Sequence, residues 1–145
     1  MHPEIHVNWL AVLSAVAASF FLGGIWYSPR FAKFWGQEKP PDASSCHGKG
    51  MAQAFGLNLF GTLLMAYVLA HSVAIWRPST WGTGADQAPQ VYGFFGGFFL
   101  WLGFVVPLNL NRVGFEKLGW RTFALHVSYQ FVSLQAMAMI LAFWR

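Results

Sequence analysis

The side chains of this sequence that could do chemistry are neutral hydrogen-bonding groups set among apolar residues. Amide, imidazole, hydroxyl and indole groups beside aromatic rings suit a pocket for a small apolar or weakly polar molecule. The six residues that would line such a pocket are Asn58, Trp101, Asn109, His126, Tyr129 and Gln130. We therefore treat a small-molecule pocket as one hypothesis for the site.

The last apolar segment carries its polar residues on one helix face. Thr122, His126, Tyr129, Gln130 and Ser133 recur at spacings of three and four residues, which places them in one stripe. We expect this stripe to face protein. Hydrogen bonds between helices, worth on average about 0.6 kcal/mol each in membrane proteins, are the alternative to a ligand site.

Patterns typical of catalysis or metal binding are missing from the sequence. No Ser, His and acidic residue are placed to suggest a triad, and Cys46 is the only cysteine, so a multi-thiolate site cannot form within one chain. Cys46 and His47 are adjacent, but two ligands do not make a metal site. The sequence therefore predicts no catalytic residues, no metal and no cofactor, and it favours a protein that is not an enzyme.

The elements that must position the polar side chains named above are membrane-spanning helices. Of the 145 residues 56% are hydrophobic and only 10% are charged, whereas a soluble domain carries roughly 25% charged residues. Four apolar runs, 7–27, 51–76, 91–110 and 122–144, contain no Asp, Glu, Lys or Arg. At about 1.5 Å per residue each can cross a hydrocarbon core of roughly 30 Å. The sequence predicts an all-α integral membrane protein, a single four-helix transmembrane bundle.

The third apolar run is rich in glycine. Gly93 and Gly97 lie four residues apart and form a face of small residues, and Gly103 follows. We assign all three to helix packing, because glycine lets another backbone approach closely in a membrane. Pro107 is expected to kink this helix or to end its regular part.

Residues 30–50 form the clearly hydrophilic stretch and are predicted to be a loop, since Pro40, Pro41 and Gly48 interrupt any helical period. The spacing of Phe31, Phe34 and Trp35 at its start is typical of a short interfacial helix or of a continuation of the first helix.

Lysine and arginine are concentrated in two loops. Those between the first and second runs and between the third and fourth runs hold seven basic residues: Arg30, Lys33, Lys39, Lys49, Arg112, Lys117 and Arg121. The other side has only Arg77 and Arg145. The positive-inside rule then places the loop 30–50 in the cytoplasm and both termini outside. Because the basic residues serve as topology signals, nucleic acid is not an expected partner.

Several stretches resemble the DUF1761 family of small bacterial membrane proteins. They are Asn8 to Leu13, Gly23 to Pro29 with its Trp-Tyr-Ser-Pro exit, Trp101 to Pro107, and the region from His126 to Gln130. The resemblance implies a four-helix protein of the bacterial inner membrane whose biochemical function is undefined.

Two function classes follow from these observations. The first is a non-enzymatic helical bundle that self-associates or joins a larger membrane complex through its glycine-rich third helix. The alternative is the binding or transport of a small apolar or weakly polar molecule through an intramembrane pocket. The expected partners are membrane lipids and either a second copy of the chain or a larger complex.

Overall fold

The computed structural model describes residues 5–34 and 49–144, and within these ranges the chain forms helices and no strand. Four helical stretches are long and apolar enough to cross a membrane: Trp9–Trp26, Ala52–Ile75, Pro89–Phe115 and Trp120–Phe143. The prediction of an all-α chain with four such helices is confirmed. The residues Trp35, Cys46 and His47, named above, lie outside the described residues.

The described residues form six α-helices and two short segments of other helical types. In order they are α1 Trp9–Trp26, α2 Pro29–Phe34, α3 Lys49–Ile75, a 3₁₀ turn Pro78–Trp81, α4 Pro89–Leu100, a π-helical turn Trp101–Val105, α5 Val106–Phe115 and α6 Trp120–Phe143.

The first helix has a defined start and a defined stop. The Oδ1 atom of Asn8 accepts hydrogen bonds from the backbone nitrogens of Leu10 (3.0 Å) and Ala11 (3.3 Å), which is how an N-cap residue satisfies the free donors of a first turn. The helix ends at Trp26, and Pro29 opens the separate helix α2. Phe31 and Phe34 therefore lie on a short second helix and not on a continuation of α1.

The third membrane-spanning stretch is longer than the predicted run 91–110, because α4, the π turn and α5 follow one another without a break from Pro89 to Phe115. Pro107 has no N–H to donate to the preceding turn. It sits in the first turn of α5, directly after the wider π turn. Pro107 thus lies where the α-helix resumes after the π turn, and the helical path continues beyond it.

Helix α6 is the centre of the fold, since it packs against α1, α3 and α4. Its buried side chains follow a helical period along the whole element: Leu125, Val127, Ser133, Leu134, Met137, Ala138, Leu141 and Ala142. Against them pack Ala11, Val12 and Ala15 of α1 and Leu69 and Val73 of α3. The core is therefore built around one helix.

The two ends of the molecule differ in how tightly the helices pack. We call the end where α1 starts and α6 finishes the termini end, and the end where α3 and α6 start the loop end. At the termini end α3 packs on its neighbours, but at the loop end all ten residues from 52 to 61 are exposed. Among the described residues, no Cα atom of α3 lies within 8 Å of one in the π turn or in α5. The third span and α3 therefore diverge toward the loop end.

Candidate functional site

The six residues predicted to line one pocket do not come together. Asn58 is exposed on the loop-end half of α3. The Nδ2 atom of Asn109 donates to the carbonyl of Val105 in its own helical stretch at 2.9 Å. The structure does not bring Asn58 together with Asn109 and Trp101, because α3 diverges from the third span toward the loop end.

Trp101 and Gln130 complete that predicted set. The indole nitrogen of Trp101 donates to the carbonyl of Val127 at 2.9 Å and so ties the π turn to α6. Gln130 is half-buried on α6. None of the six residues lines any of the three cavities described for this chain.

His126 and Tyr129 instead belong to a hydrogen-bonded seam between α1 and α6. The hydroxyls of Ser19 and Ser133 are 2.7 Å apart and buried. The hydroxyl of Tyr129 donates to the carbonyl of Ser19 at 3.2 Å, and the hydroxyl of Tyr27 shares a hydrogen bond of 2.9 Å with Nδ1 of His126. His126, Tyr129 and Ser133 thus face protein, as expected of their stripe.

Tyr27 occupies the position just after α1 ends. Partial burial, and to a smaller extent the nearby Tyr129, raises the pKa of Tyr27 to about 12. Its hydroxyl therefore keeps its proton at neutral pH and can hydrogen-bond across the seam to His126.

The buried serine pair can be tested by a double-mutant cycle. Ser133→Ala leaves the buried hydroxyl of Ser19 without its partner, which we expect to lower the free energy of unfolding by about 1 kcal/mol. The double variant Ser19→Ala/Ser133→Ala removes both hydroxyls and should recover most of that loss. The measurement is unfolding in mixed micelles by titration with SDS. Additive losses from the two single changes would show that the hydroxyls do not interact.

The glycines of α4 lie against α6 of the same chain. A Cβ atom at Gly93 would lie 3.2 Å from the carbonyl oxygen of Ala138, and one at Gly97 would lie 3.2 Å from the side chain of Gln135. The Nε2 atom of Gln135 also donates to the carbonyl of Phe94 at 3.2 Å. These contacts correct the hypothesis that this glycine face joins another copy, because α6 already covers it.

Gly103, unlike Gly93 and Gly97, does not lie against α6. Within the described part of the chain, a Cβ atom at Gly103 would meet nothing within 4 Å. Gly103 is exposed and meets no other helix among the described residues, so its assignment to helix packing stays a prediction. Its position in the π turn, on the side away from α6, was not readable from residue spacing.

A cavity of about 300 Å³ lies at the termini end, and sequence reasoning missed it. We call it the termini-end cavity. It lies between the start of α1, the end of α3, the 3₁₀ turn and the end of α6. Its lining residues are His6, Val7, Asn8, Ala11, Ala70, Val73, Ala74, Arg77, Ser79, Thr80, Leu141 and Trp144. Arg77 had been assigned only to topology, yet its side chain is buried.

No group of three or more His, Cys, Asp or Glu side chains within residues 5–34 and 49–144 is placed to hold a metal ion. Nδ1 of His71 lies 2.9 Å from the carbonyl oxygen of Tyr67 on its own helix.

The helices and their burial pattern define a four-span α-helical membrane protein. The family model described as a protein of unknown function, DUF1761, matches residues 10–142, and the chain belongs to this family. The resemblance inferred from the sequence is thereby confirmed. No curated protein and no solved structure matches the chain.

Proposed function

We propose that the protein is a non-enzymatic membrane module that self-associates, with a second copy of the chain covering the loop-end half of α3. The observation that carries this proposal is the exposure of every residue from 52 to 61. A helix in a bundle normally buries one face against its neighbours. This half-helix buries none against the other residues that the structure describes.

A polar side chain lies in the middle of this exposed segment. The hydroxyl of Thr62 donates to the backbone carbonyl of Asn58 at 2.8 Å, and it lies 3.5 Å from the side-chain Oδ1 atom of Asn58. The Nδ2 group of Asn58 donates to no residue in the part of the chain that the structure describes. An amide donor facing hydrocarbon is costly, so a partner that accepts from it stabilises the helix.

Small residues lie on the same face as Asn58. Ala54, Asn58 and Gly61 are four and three residues apart, so they share one side of α3. A Cβ atom at Gly61 would meet nothing within 4 Å. Another helix can therefore approach this side closely, as small residues permit in membranes.

A second copy is the occupant that this face fits best. Two copies inserted with the same orientation present Asn58 at the same depth, and a two-fold axis along the membrane normal brings the two amides together. An asparagine amide contains both donors and an acceptor, so it is complementary to itself. Lipids would cover the remaining apolar faces.

The membrane and the orientation are also part of the proposal. The seven basic residues of the two loops favour a cytoplasmic loop end and termini on the outside, in a bacterial inner membrane. A non-enzymatic role is favoured because Ser19, Ser133, His126 and Tyr129 are engaged in helix-to-helix contacts.

The test is the native mass of the protein in a mild detergent over a range of protein-to-detergent ratios. The wild type should give a dimer. Gly61→Phe should weaken association at least about tenfold by blocking close approach, and Asn58→Leu about threefold, the equivalent of one average hydrogen bond. Neither change meets a clash with the described residues, since a Cβ atom at Gly61 meets none of them within 4 Å and Asn58 is exposed.

The matched control is Gly103→Phe, which adds the same side chain at another open glycine on the third span. It should leave the dimer intact. A wild type that stays monomeric at every ratio would contradict the proposal, and so would a Gly61→Phe variant that dimerises as the wild type does.

A further inference from the structure

Two further cavities lie along α1 toward the loop end. The first, which we call the α1–α3 groove, has a volume of about 390 Å³ and lies between Leu13, Ala17 and Phe20 of α1 and Phe55, Gly56 and Leu59 of α3. The second, which we call the α1–α2 cavity, has a volume of about 640 Å³ and is lined by Gly24, Ile25, Ser28, Pro29, Arg30 and Phe31.

The groove and the cavity share one side of α1. This side carries Leu13, Ala17, Phe20 and Gly24. Successive members are three or four residues apart, which places them in one line along a helix. From the first to the last the line is about 16 Å long, close to half of a hydrocarbon core of roughly 30 Å. The groove and the cavity therefore follow one another across a single leaflet of the bilayer.

The α1–α3 groove has an apolar lining throughout. Val16 in this lining is buried in the core, whereas Leu13 and Phe55 are mostly exposed. The groove is therefore open on the side that faces the membrane. A lining without a polar side chain cannot orient a polar molecule, so a hydrocarbon chain is the occupant that suits it.

The α1–α2 cavity adds a positive charge at the interface end of the same line. Arg30 lines this cavity and forms no ion pair with the residues that the structure describes. Lys33, three residues further along α2, is exposed. The rings of Trp26 and Phe31 are 4.9 Å apart, and this contact holds α2 against the end of α1. A cation is thus fixed in position beyond the end of an apolar groove.

We propose that the groove and the cavity together bind one anionic phospholipid, with its phosphate at Arg30 and an acyl chain in the α1–α3 groove. Guanidinium groups bind phosphate oxygens through charge-assisted hydrogen bonds, and basic sites at the ends of membrane helices bind anionic headgroups. The groove lies on a different side of α3 from Ala54, Asn58 and Gly61. The lipid site therefore does not rest on the proposed self-association.

The experiment uses the delipidated full chain in a mild detergent and counts bound lipids by native mass spectrometry. The probes are dioleoyl phosphatidylglycerol, which is anionic, and dioleoyl phosphatidylcholine, which has the same chains and no net charge. We expect one saturable phosphatidylglycerol per chain, bound about fivefold more tightly than phosphatidylcholine, because one basic residue near a membrane surface contributes about that factor. Equal affinities for the two lipids would overturn the proposal.

Arg30→Gln tests the headgroup part of the site. It should weaken phosphatidylglycerol binding about fivefold and leave phosphatidylcholine binding unchanged. The matched control is Arg121→Gln, which removes an exposed arginine at the loop end but outside the lining of the cavity, and it should change neither affinity. If the two variants weakened phosphatidylglycerol binding equally, the total charge of the loop end would explain the preference, and the site at Arg30 would be excluded.

Gly56→Phe tests the acyl-chain part of the site. A Cβ atom at Gly56 would meet none of the described residues within 4 Å, so the ring can enter the groove without a clash among them. The affinity for both lipids should fall at least about tenfold, because each buried CH₂ group contributes about a factor of four. Gly103→Phe adds the same side chain at an open glycine of the third span and should leave both affinities unchanged.

Two results with Gly56→Phe contradict the proposal. One is lipid binding with the affinity of the wild type and an unchanged native mass, which would show that the groove holds no acyl chain. The other is unchanged lipid binding with loss of the dimer, which would assign the groove to a second copy of the chain.

Discussion

Gly93→Leu is expected to lower the free energy of unfolding by about 2–3 kcal/mol, in the upper part of the usual range for overpacking. A Cβ atom at this position would lie 3.2 Å from the carbonyl oxygen of Ala138, 3.2 Å from the Cβ atom of Ala142 and 3.0 Å from the sulfur of Met139. The methionine can move to another rotamer, but the backbone carbonyl cannot. Helix α4 must therefore move away from α6, and their contact is lost along its length.

The control for this prediction is Gly103→Leu on the same span. Because a Cβ atom there meets nothing within 4 Å among the described residues, the change should leave stability at or slightly above the wild-type value. Unfolding by SDS in mixed micelles measures both variants. If both variants lost the same free energy of unfolding, the cost would come from replacing glycine in a helix and not from the close approach of α4 to α6.

Arg77→Leu is expected to cost about 3 kcal/mol, which is near the lower limit for removing one partner of a buried ion pair. The change leaves the carbonyl of Ala142 without its donor and removes the cation from the face of Tyr92. Asp86 keeps its two hydrogen bonds from Ser79, and this holds the cost near the lower limit. We expect the variant to unfold at a lower SDS concentration, and the end of α3 to separate from α6.

Arg112→Leu is the matched control, because it removes an arginine from a shorter ion pair. Arg112 and Glu116 are 3.1 Å apart, but their side chains are 47% and 61% exposed. An exposed pair at this helical spacing contributes only about 0.3–0.5 kcal/mol. If Arg112→Leu lowered the free energy of unfolding as much as Arg77→Leu does, burial would not explain the contribution of Arg77 to stability.

Much of the architecture could be predicted from the sequence, because the membrane imposes simple rules. An uncharged apolar run of about 20 residues has to be helical in lipid, since each backbone group must find its hydrogen bond within the segment. The position of Asn8 before the first run and the stripe of His126, Tyr129 and Ser133 on the fourth are local patterns. Both appear in the structure, as a helix cap and as the seam with α1.

The partner of each helix face could not be predicted from the same patterns. Gly93 and Gly97 indicate that something packs closely, but the spacing is the same whether that helix belongs to this chain or to another. Sequence also could not show that α3 and the third span diverge, which separates Asn58 from Asn109. For this reason the structure does not bring together the neutral side chains that were predicted to line one pocket.

The burial of Arg77 could not be predicted from the sequence for a different physical reason. Arg77 is followed by proline at the end of an apolar run, a pattern typical of a cation at the membrane interface. Its burial depends on Ala142 and Tyr92, which are distant in sequence. The termini-end cavity follows from that tertiary contact, so residue spacing alone could not reveal it.

The central claim, self-association through the loop-end half of α3, is tested most directly by thiol cross-linking in intact membranes. The natural Cys46 is first replaced by serine, and Gly61→Cys or Gly103→Cys then introduces one thiol at an open position. With a short bifunctional thiol reagent, we predict a cross-linked dimer for Gly61→Cys and none for Gly103→Cys. A Gly61→Cys protein that stays monomeric while its thiol reacts fully with a monofunctional reagent would contradict the claim.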